Sequence, residues 1–491
     1  LDRWKGWSSL EFRERVSGDD VICGIFPIVG VWAIIRRGES VINEPIISVS
    51  GLRGIVGVSL AADALVRYVG SFATLQGEGP MILSRDGRAT GDFLADLVRG
   101  TLRATGRDVH DAGIAATPTV GRLVRRLRAA GGIQITASHN PPEYNGLKLF
   151  GPDGRVVPAE FGERVLQRYR ESPPDWARYD RIGKAHPLPD SISDHLHAIL
   201  ARVDVARIRE RRFRVVLDSN AGSGSVLGVP LLHELGCDVM SRGGTPNGQF
   251  AHPPEPIAEN LQDIGADVIR HQADVGCGQD PDADRLALID AQGLYVGEEY
   301  TLALCVSRAL RKAKGPIVTN CSTSRMSEDL AQRHGVPFSR SRVGEAHVAD
   351  EMIRCHAVFG GEGNGGPIDP QVGYVRDSFV GMALVLEAMA VEEKSLRELV
   401  DALPQYAMHK TKVTVGAEVW RAAMPSLTKK FHDARLDRQD GCRWDWPDRW
   451  LQVRASNTEP IVRVIAEAPD SASARDLADQ AVGILLAAGG P

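Results

Sequence analysis

At 491 residues the chain is too long for one hydrophobic core and predicts roughly three or four domains of ordinary size. Hydrophobic residues at 43% and charged residues at 25% are ordinary for a soluble globular protein. The formal net charge of −5 argues against nucleic acid or an anionic membrane as the main partner, since both call for a basic face. A local basic pocket for a small anion stays open, because arginine is frequent and its planar fork of donors suits phosphate.

In chain order, the first 44 residues stand apart. Three of the eight tryptophans fall by position 32, and "VICGIFPIVGVWAII" (21–35) is an uncharged apolar run. That run is shorter than the ~20 residues a spanning helix needs, and it contains Gly24, Pro27 and Gly30. Asp19 and Asp20 just ahead of it do not suit the basic start of a signal peptide. The chain begins with leucine rather than methionine. Residues 1–44 are therefore read as an extension outside the fold, with no membrane role expected.

A strand–loop–helix–strand pattern then recurs three times. It begins at "MILSRDGRATG", at "FRVVLDSNAGSG" and at "GPIVTNCSTS", each followed by an amphipathic segment, a glycine and a second β run. Such alternation predicts βαβ units and largely parallel sheets, with ligands placed on the loops after the first strands. From about residue 406, "KTKVTV", "RWLQVRAS" and "IVRVIAEA" read as strands, closed by a helix with Ser471 or Ser473 as its cap. The expected fold is α/β: three tandem similar α/β domains with mixed, largely parallel sheets, then a smaller C-terminal α+β domain. The expected bounds are 45–195, 196–298, 299–405 and 406–491, with linkers near 171–190 and 401–406.

Four loops carry polar groups that a bare turn does not need. "TASHNPPEYNGLKLF" (136–150) fixes Ser138 and His139 on a proline-rich loop between two strands. The Gly-x-Ser-x-Gly elbow of serine hydrolases is absent there. "GCGQDPDADRLALID" (276–290) alternates Asp280, Asp282 and Asp284, which is a set of ligands for a hard divalent cation. An EF-hand would need Gly at its sixth position and a carboxylate at its twelfth, where Arg285 and Ala291 stand. A solvated acidic turn is the plainer alternative, but three unneutralised carboxylates before an apolar strand would repel one another.

"GGEGNGGPIDP" (360–370) satisfies G-x-G-x-x-G, yet "PIDP" follows where a dinucleotide fingerprint needs a helix. Glu362 and Asn364 on this loop suit sugar hydroxyls. "RASNTEPIVRV" (454–464) offers Arg454, Ser456, Asn457, Thr458 and Arg463, the donors a phosphate dianion takes. Together the loops suit phosphoryl transfer on a sugar phosphate. Ser138 needs no adjacent base if it rests as phosphoserine, its charge of about −2 balanced by a cation.

These motifs, in this order from "ISVSGLRGIVG" at 47 to the end, closely resemble the α-D-phosphohexomutase family of phosphoglucomutases, phosphomannomutases and phosphoglucosamine mutases. The resemblance implies four domains around a central cleft. It implies phosphorylation of Ser138 and one Mg2+ per chain held by Asp280, Asp282, Asp284 and the phosphoserine oxygen. Arg53, Lys148 and Arg285 are implied as active-site cations, with Lys148 as the acid/base and His139 assisting. The sugar loop is implied at Glu362 and Asn364, and the non-reacting phosphate in the loop of Arg454 and Ser456–Thr458, with Arg463 nearby. Glu345 of "RVGEAHV" stands where relatives often carry His or Asp.

The implied reaction interconverts hexose 6-phosphate and hexose 1-phosphate through a hexose 1,6-bisphosphate, which is also the activator. Asn364 replaces a serine found in many relatives, and glucosamine phosphate is the first choice of substrate, ahead of mannose and glucose phosphates. A sugar phosphatase and a non-catalytic sugar-phosphate-binding protein are the competing readings. Seven cysteines without a C-x-x-C pair read as reduced thiols, so a cytoplasmic setting is expected, as monomer or homodimer.

Overall fold

The computed structural model describes residues 45–48, 51–455 and 461–489. The extension 1–44 and the sequence-predicted phosphate donors Ser456, Asn457 and Thr458 lie outside the described residues.

The three predicted repeats fold as three α/β layers. The first sheet has seven strands in the order Ile46–Ser48, Gly51–Ile55, Tyr144–Phe150, Gly131–Ile135, Met81–Arg85, Val109–Ile114, Ala185–Pro187. Its half from Gly131–Ile135 onward is parallel and the remainder antiparallel. The second runs Leu286–Asp290, Val275–Gln279, Arg214–Asp218, Asp238–Arg242, and the third Phe338–Ser341, Ile317–Asn320, Phe359–Glu362, Gly366–Ile368. Each of these two sheets is parallel except for one antiparallel edge hairpin. The last sheet has five strands, from Ala407–Val413 at one edge to Arg435–Asp437 at the other, and is antiparallel throughout.

Two local expectations are corrected. The stretch 171–190 is more than a linker: its strand Ala185–Pro187 extends the first sheet in parallel with Val109–Ile114. The C-terminal helix Ser471–Ala488 is capped by Asp470, whose carboxylate accepts from Ser473 N, because an ionised acceptor binds the free amides better than a hydroxyl does. The helix Ser193–Leu200 also spans the expected 195/196 boundary.

One buried helix ties the middle of the molecule together. Ser378–Glu392 is apolar on every side, and 13 of its residues, Ser378–Ala390, are buried, as a helix without a polar stripe must be. Its start is fixed by Asp377, which accepts from Phe379 N and Val380 N. Asp377 also meets His195 Nε2 at 2.8 Å, and His195 Nδ1 meets Thr119 Oγ1 at 3.0 Å, so the first three layers join at one fully buried imidazole. Phe379 stacks edge-on against that ring, with centroids 5.7 Å apart.

This placement turns the loops after the parallel strands toward a common space, where ligands bind in open α/β sheets. Among the described residues no helix is long and apolar enough to cross a membrane. Replacing Phe379 by Ala should leave a cavity at the junction and cost about 3–5 kcal/mol, read as a lowered urea midpoint. An unchanged midpoint would contradict the role given to this helix.

Candidate active site

The loop 136–143 is built to hold one serine. It leaves the fully buried strand Gly131–Ile135 and returns along Tyr144–Phe150, with Ile135 opposite Leu147. At its tip Ser138 sits at φ +50°, in the left-handed region that costs a non-glycine residue on the order of 1–3 kcal/mol. Ser138 is 1% exposed, and its Oγ donates to Asp280 Oδ2 at 2.9 Å and lies 3.2 Å from His139 Nδ1.

The acidic loop is a tight hairpin connection between Val275–Gln279 and Leu286–Asp290. Asp280 Oδ1 accepts from Asp284 N and Arg285 N, each at 3.1 Å, which coils the loop around that carboxylate. Pro281 O accepts from both Ser223 N and Ser223 Oγ. Glycine at 222 is required there, since a Cβ would stand 2.4 Å from the same carbonyl. On the other side Gly365, at φ +79°, accepts at its carbonyl from Leu286 N at 2.8 Å and so joins the sugar loop to the acidic hairpin.

All three aspartates are fully buried, which excludes the solvated-turn alternative. They lie within 4.8 Å of one another. Asp280 uses both its oxygens on protein donors, whereas Asp282 and Asp284 each use one: Asp282 Oδ2 accepts from Lys148 Nζ at 2.6 Å and Thr117 Oγ1 at 2.5 Å. Asp284 Oδ2 accepts from Lys148 Nζ at 2.5 Å and Arg376 Nη2 at 2.6 Å. The other oxygens, Asp282 Oδ1 and Asp284 Oδ1, are buried with no hydrogen-bond partner. Buried unpaired carboxylate oxygens are costly, and a hard divalent cation is the ligand that satisfies them. The residues present fit such an ion.

Charge shapes the titration of this site. Burial and the two neighbouring carboxylates push Asp280 well above the usual carboxylate range. Burial alone would raise Asp284 too, but Arg376 and Lys148 hold it far below. Burial works to lower Lys148, yet Asp282 and Asp284 outweigh it and keep the ammonium charged beyond its ordinary range. His139 is pushed down to about 2 by Arg285 and by burial, so its imidazole is neutral near pH 7.

Among the described residues, the other predicted ones face one cleft of about 740 Å³. Arg53, His139 and Lys148 line it from the first layer, and Arg285 from the second. Arg53 reaches Asn140 Oδ1 at 3.2 Å, while Arg285 lies 3.8 Å from Glu255. Glu345, Glu362 and Asn364 line the third side. Glu362 accepts from Asn320 Nδ2 at 2.7 Å, Gly344 N at 2.9 Å and Arg376 Nη1 at 2.6 Å. Asn364 Oδ1 is buried and unpartnered, an acceptor left for a ligand hydroxyl. Glu345 opens the helix Glu345–Cys355 and is pushed up to about 6, chiefly by burial.

Arg454 and Arg463 close the fourth side. They stand directly opposite each other on adjacent antiparallel strands. Like charges in that position repel, and an anion between them removes the penalty. Two residues had no motif to announce them. Arg376 bridges Asp284, Glu362 and Glu345, and Thr117 reaches the acidic loop from another domain. Only Arg376's place just ahead of a helix cap hinted at a fixed side chain.

Ser138 thus lies 2.9 Å from one of three clustered, buried aspartates, beside a cleft lined by Arg53, Lys148, Arg285, Arg454 and Arg463. The comparisons name the chain's family. Four family models match in order: phosphoglucomutase/phosphomannomutase alpha/beta/alpha domain I at 46–174, domain II at 193–293, domain III at 298–406 and the C-terminal domain at 412–484. A Thermococcus kodakarensis protein named phosphoglucomutase/phosphomannomutase is 37% identical, over 89% of this chain and 97% of its own. A Methanopyrus kandleri protein named as a probable phosphoglucosamine mutase is 33% identical, over 89% of this chain and 96% of its own.

Among solved structures, a Burkholderia thailandensis protein of the phosphoglucomutase/phosphomannomutase family superposes with a TM-score of 0.78 at 25% identity, covering 91% of this chain and 98% of its own. The Aspergillus fumigatus N-acetylphosphoglucosamine mutase, solved with GlcNAc-6P and magnesium, gives 0.57 at 16% identity, covering 90% and 96%. The chain belongs to the phosphoglucomutase/phosphomannomutase family. It is a phosphohexomutase, an isomerase that interconverts sugar phosphates.

Asp282→Asn and Asp284→Asn should each weaken Mg2+ binding at least about tenfold by calorimetry, since even outer-shell changes cost 10–100-fold. Equal affinity in both variants would remove these side chains from the ion site.

Proposed function

We propose that Ser138 carries the transferred phosphoryl group and that the chain interconverts hexose 6- and 1-phosphates, with glucosamine phosphate preferred. The observation that carries the reading is the 2.9 Å approach of Ser138 Oγ to Asp280, beside the unpartnered oxygens of Asp282 and Asp284 and behind the cleft that ends in Arg454 and Arg463. Mg2+ held by the three aspartates and the phosphoserine would neutralise charge on the migrating group. Everything else falls to the protein's own side chains.

In the forward step the Ser138 Oγ–P bond breaks and a bond from phosphorus to a sugar oxygen forms. The proton of the sugar hydroxyl passes to the departing Oγ, which becomes the hydroxyl that donates to Asp280. In the return step the proton runs the other way, from Ser138 Oγ to the leaving sugar oxygen, and Lys148, held as an ammonium, hydrogen-bonds that oxygen and relays the proton without net loss. Neutral His139 orients Oγ without adding a competing charge. The bisphosphorylated sugar then turns, so that its other phosphate reaches Ser138 while the first rests between Arg454 and Arg463. Arg53 and Arg285 neutralise the phosphate that faces the serine.

Glu362 and Asn364 would hold ring hydroxyls, and the Glu345 carboxylate suits the ammonium of glucosamine. Relatives named as probable phosphoglucosamine mutases support glucosamine phosphate, while the relative named for glucose and mannose phosphates supports the alternatives. The described cysteines are all unpaired, five of them buried, in keeping with a reducing cytoplasmic setting.

Ser138→Ala should abolish turnover, leave hexose-phosphate binding measurable, and end stimulation by the bisphosphate. Stoichiometric release of inorganic phosphate by the wild type would favour a phosphatase instead. Because Glu345 titrates at about 6 and must be ionised to attract an ammonium, the kcat/KM ratio for glucosamine over glucose phosphate should fall as pH drops through 6. Glu345→Gln should lower that ratio about tenfold at pH 7.5 and flatten its pH dependence. A ratio indifferent to both changes would pass the preference to another sugar.

A further inference from the structure

The loop of Ser138 is held from behind by groups that never reach the cleft. Asp86 and Arg88 follow the strand Met81–Arg85, and both are buried. Arg88 spends both terminal nitrogens of its guanidinium on backbone carbonyls. Nη2 donates to Ser138 O and Asn140 O, each at 2.6 Å, and Nη1 to Pro141 O at 2.7 Å and Tyr144 O at 2.9 Å. Nε and the backbone N of Arg88 both return to Asp86, at 3.2 and 3.0 Å. Asp86 Oδ2 also accepts from Thr136 Oγ1 at 2.7 Å, and Thr136 Oγ1 accepts from Ser138 N at 2.8 Å. Both backbone groups of Ser138 thus lead to one carboxylate, its N–H through Thr136 and its C=O through Arg88.

We infer that the Asp86–Arg88–Thr136 unit is the positioning device of the transfer step, fixing the left-handed backbone of Ser138 and with it the aim of Oγ. This rests on the reading of Ser138 as the phosphorylated residue. None of the three side chains lines the cleft, so they act through Ser138 and not on the sugar. A relaxed serine would move to the ordinary backbone region, swinging Oγ away from Asp280, and a misplacement of about 1 Å in a reacting group can cost 10²-fold in rate.

The unit also registers the serine against the domain that carries the aspartates. Phe250 lies 5.1 Å from the Arg88 guanidinium, and a Cβ on Gly248 would stand 2.6 Å from Arg88 Cα. The Ser138 loop and the acidic loop are therefore keyed to each other through Arg88 as well as through direct contact.

Three variants test this in the full-length enzyme. Thr136→Val keeps the shape and the Asp86–Arg88 pair but removes the link to Ser138 N. Arg88→Lys keeps a charge beside Asp86 but cannot span four carbonyls. Thr136→Ser restores the hydroxyl. The first two should lower kcat about 30–100-fold with KM for hexose phosphate within threefold, and should slow phosphoryl uptake by Ser138 from hexose 1,6-bisphosphate in parallel. Thr136→Ser should return kcat to within about threefold of wild type.

Unchanged kcat in Thr136→Val and Arg88→Lys, with Ser138 phosphorylated as in wild type, would overturn the inference. Failure of both variants to fold, or no recovery in Thr136→Ser, would do the same by leaving a structural role only. A wild-type enzyme with no phosphoryl group at Ser138 would instead bring down the reading beneath it.

Discussion

Three fully buried carboxylates crowded together dictate most of what surrounds them. With ligand oxygens within 4.8 Å of one another, each pair of ionised aspartates would repel by about 3 kcal/mol or more at an effective dielectric of 20. The molecule answers with donors drawn from several domains: Ser138, Thr117 and Lys148 from the first, Arg376 from the third. The balance is incomplete, since among the described residues two carboxylate oxygens have no hydrogen-bond partner and only one of them has a cation within ion-pair distance, Arg285 Nε at 3.9 Å from Asp284 Oδ1. An apolar interior would tolerate this poorly. A cation resolves it, and under the proposed function that cation would also hold a phosphorylated Ser138, which accounts for the meeting of the serine loop and the acidic loop.

That meeting explains the architecture. Separate α/β layers each deliver a loop from the ends of their parallel strands, and the buried helix Ser378–Glu392 with His195 at its head fixes the layers' mutual setting. Arg376, one residue before the helix cap, then carries the sugar loop's position to the acidic loop through its contacts with Glu362 and Asp284. The last domain closes the cleft by contacts such as Lys410 to Glu298 and Val343 N to Asp440. Its arginine pair, Arg454 and Arg463, stands on adjacent antiparallel strands that line the same cleft.

Much of this was legible in the sequence because it is local. The repeated strand–loop–helix pattern, the aspartate spacing and the serine between two strands are all written within a few residues, and they folded as read. Tertiary contributors were not legible. Thr117, Arg88 and Arg376 are single residues in unremarkable contexts, and their meaning comes from hydrogen bonds that span up to 165 positions. Arg88 did lie in a loop expected to carry ligands, but it binds backbone instead, which no motif could convey. The edge strand Ala185–Pro187 escaped notice for a similar reason. Its residues look like linker, and the neighbouring strand Val109–Ile114 supplies the pairing.

The central claim is that a phosphoryl group on Ser138 passes directly between serine and sugar at the aspartate loop. Incubating the enzyme with magnesium and hexose 1,6-bisphosphate labelled in its phosphates, followed by peptide mapping, measures this most directly. The account predicts about one labelled phosphoryl group per chain, all of it on the peptide containing Ser138, exchanging into added hexose phosphate. Label on another residue, or full catalytic turnover with Ser138 unlabelled, would contradict it.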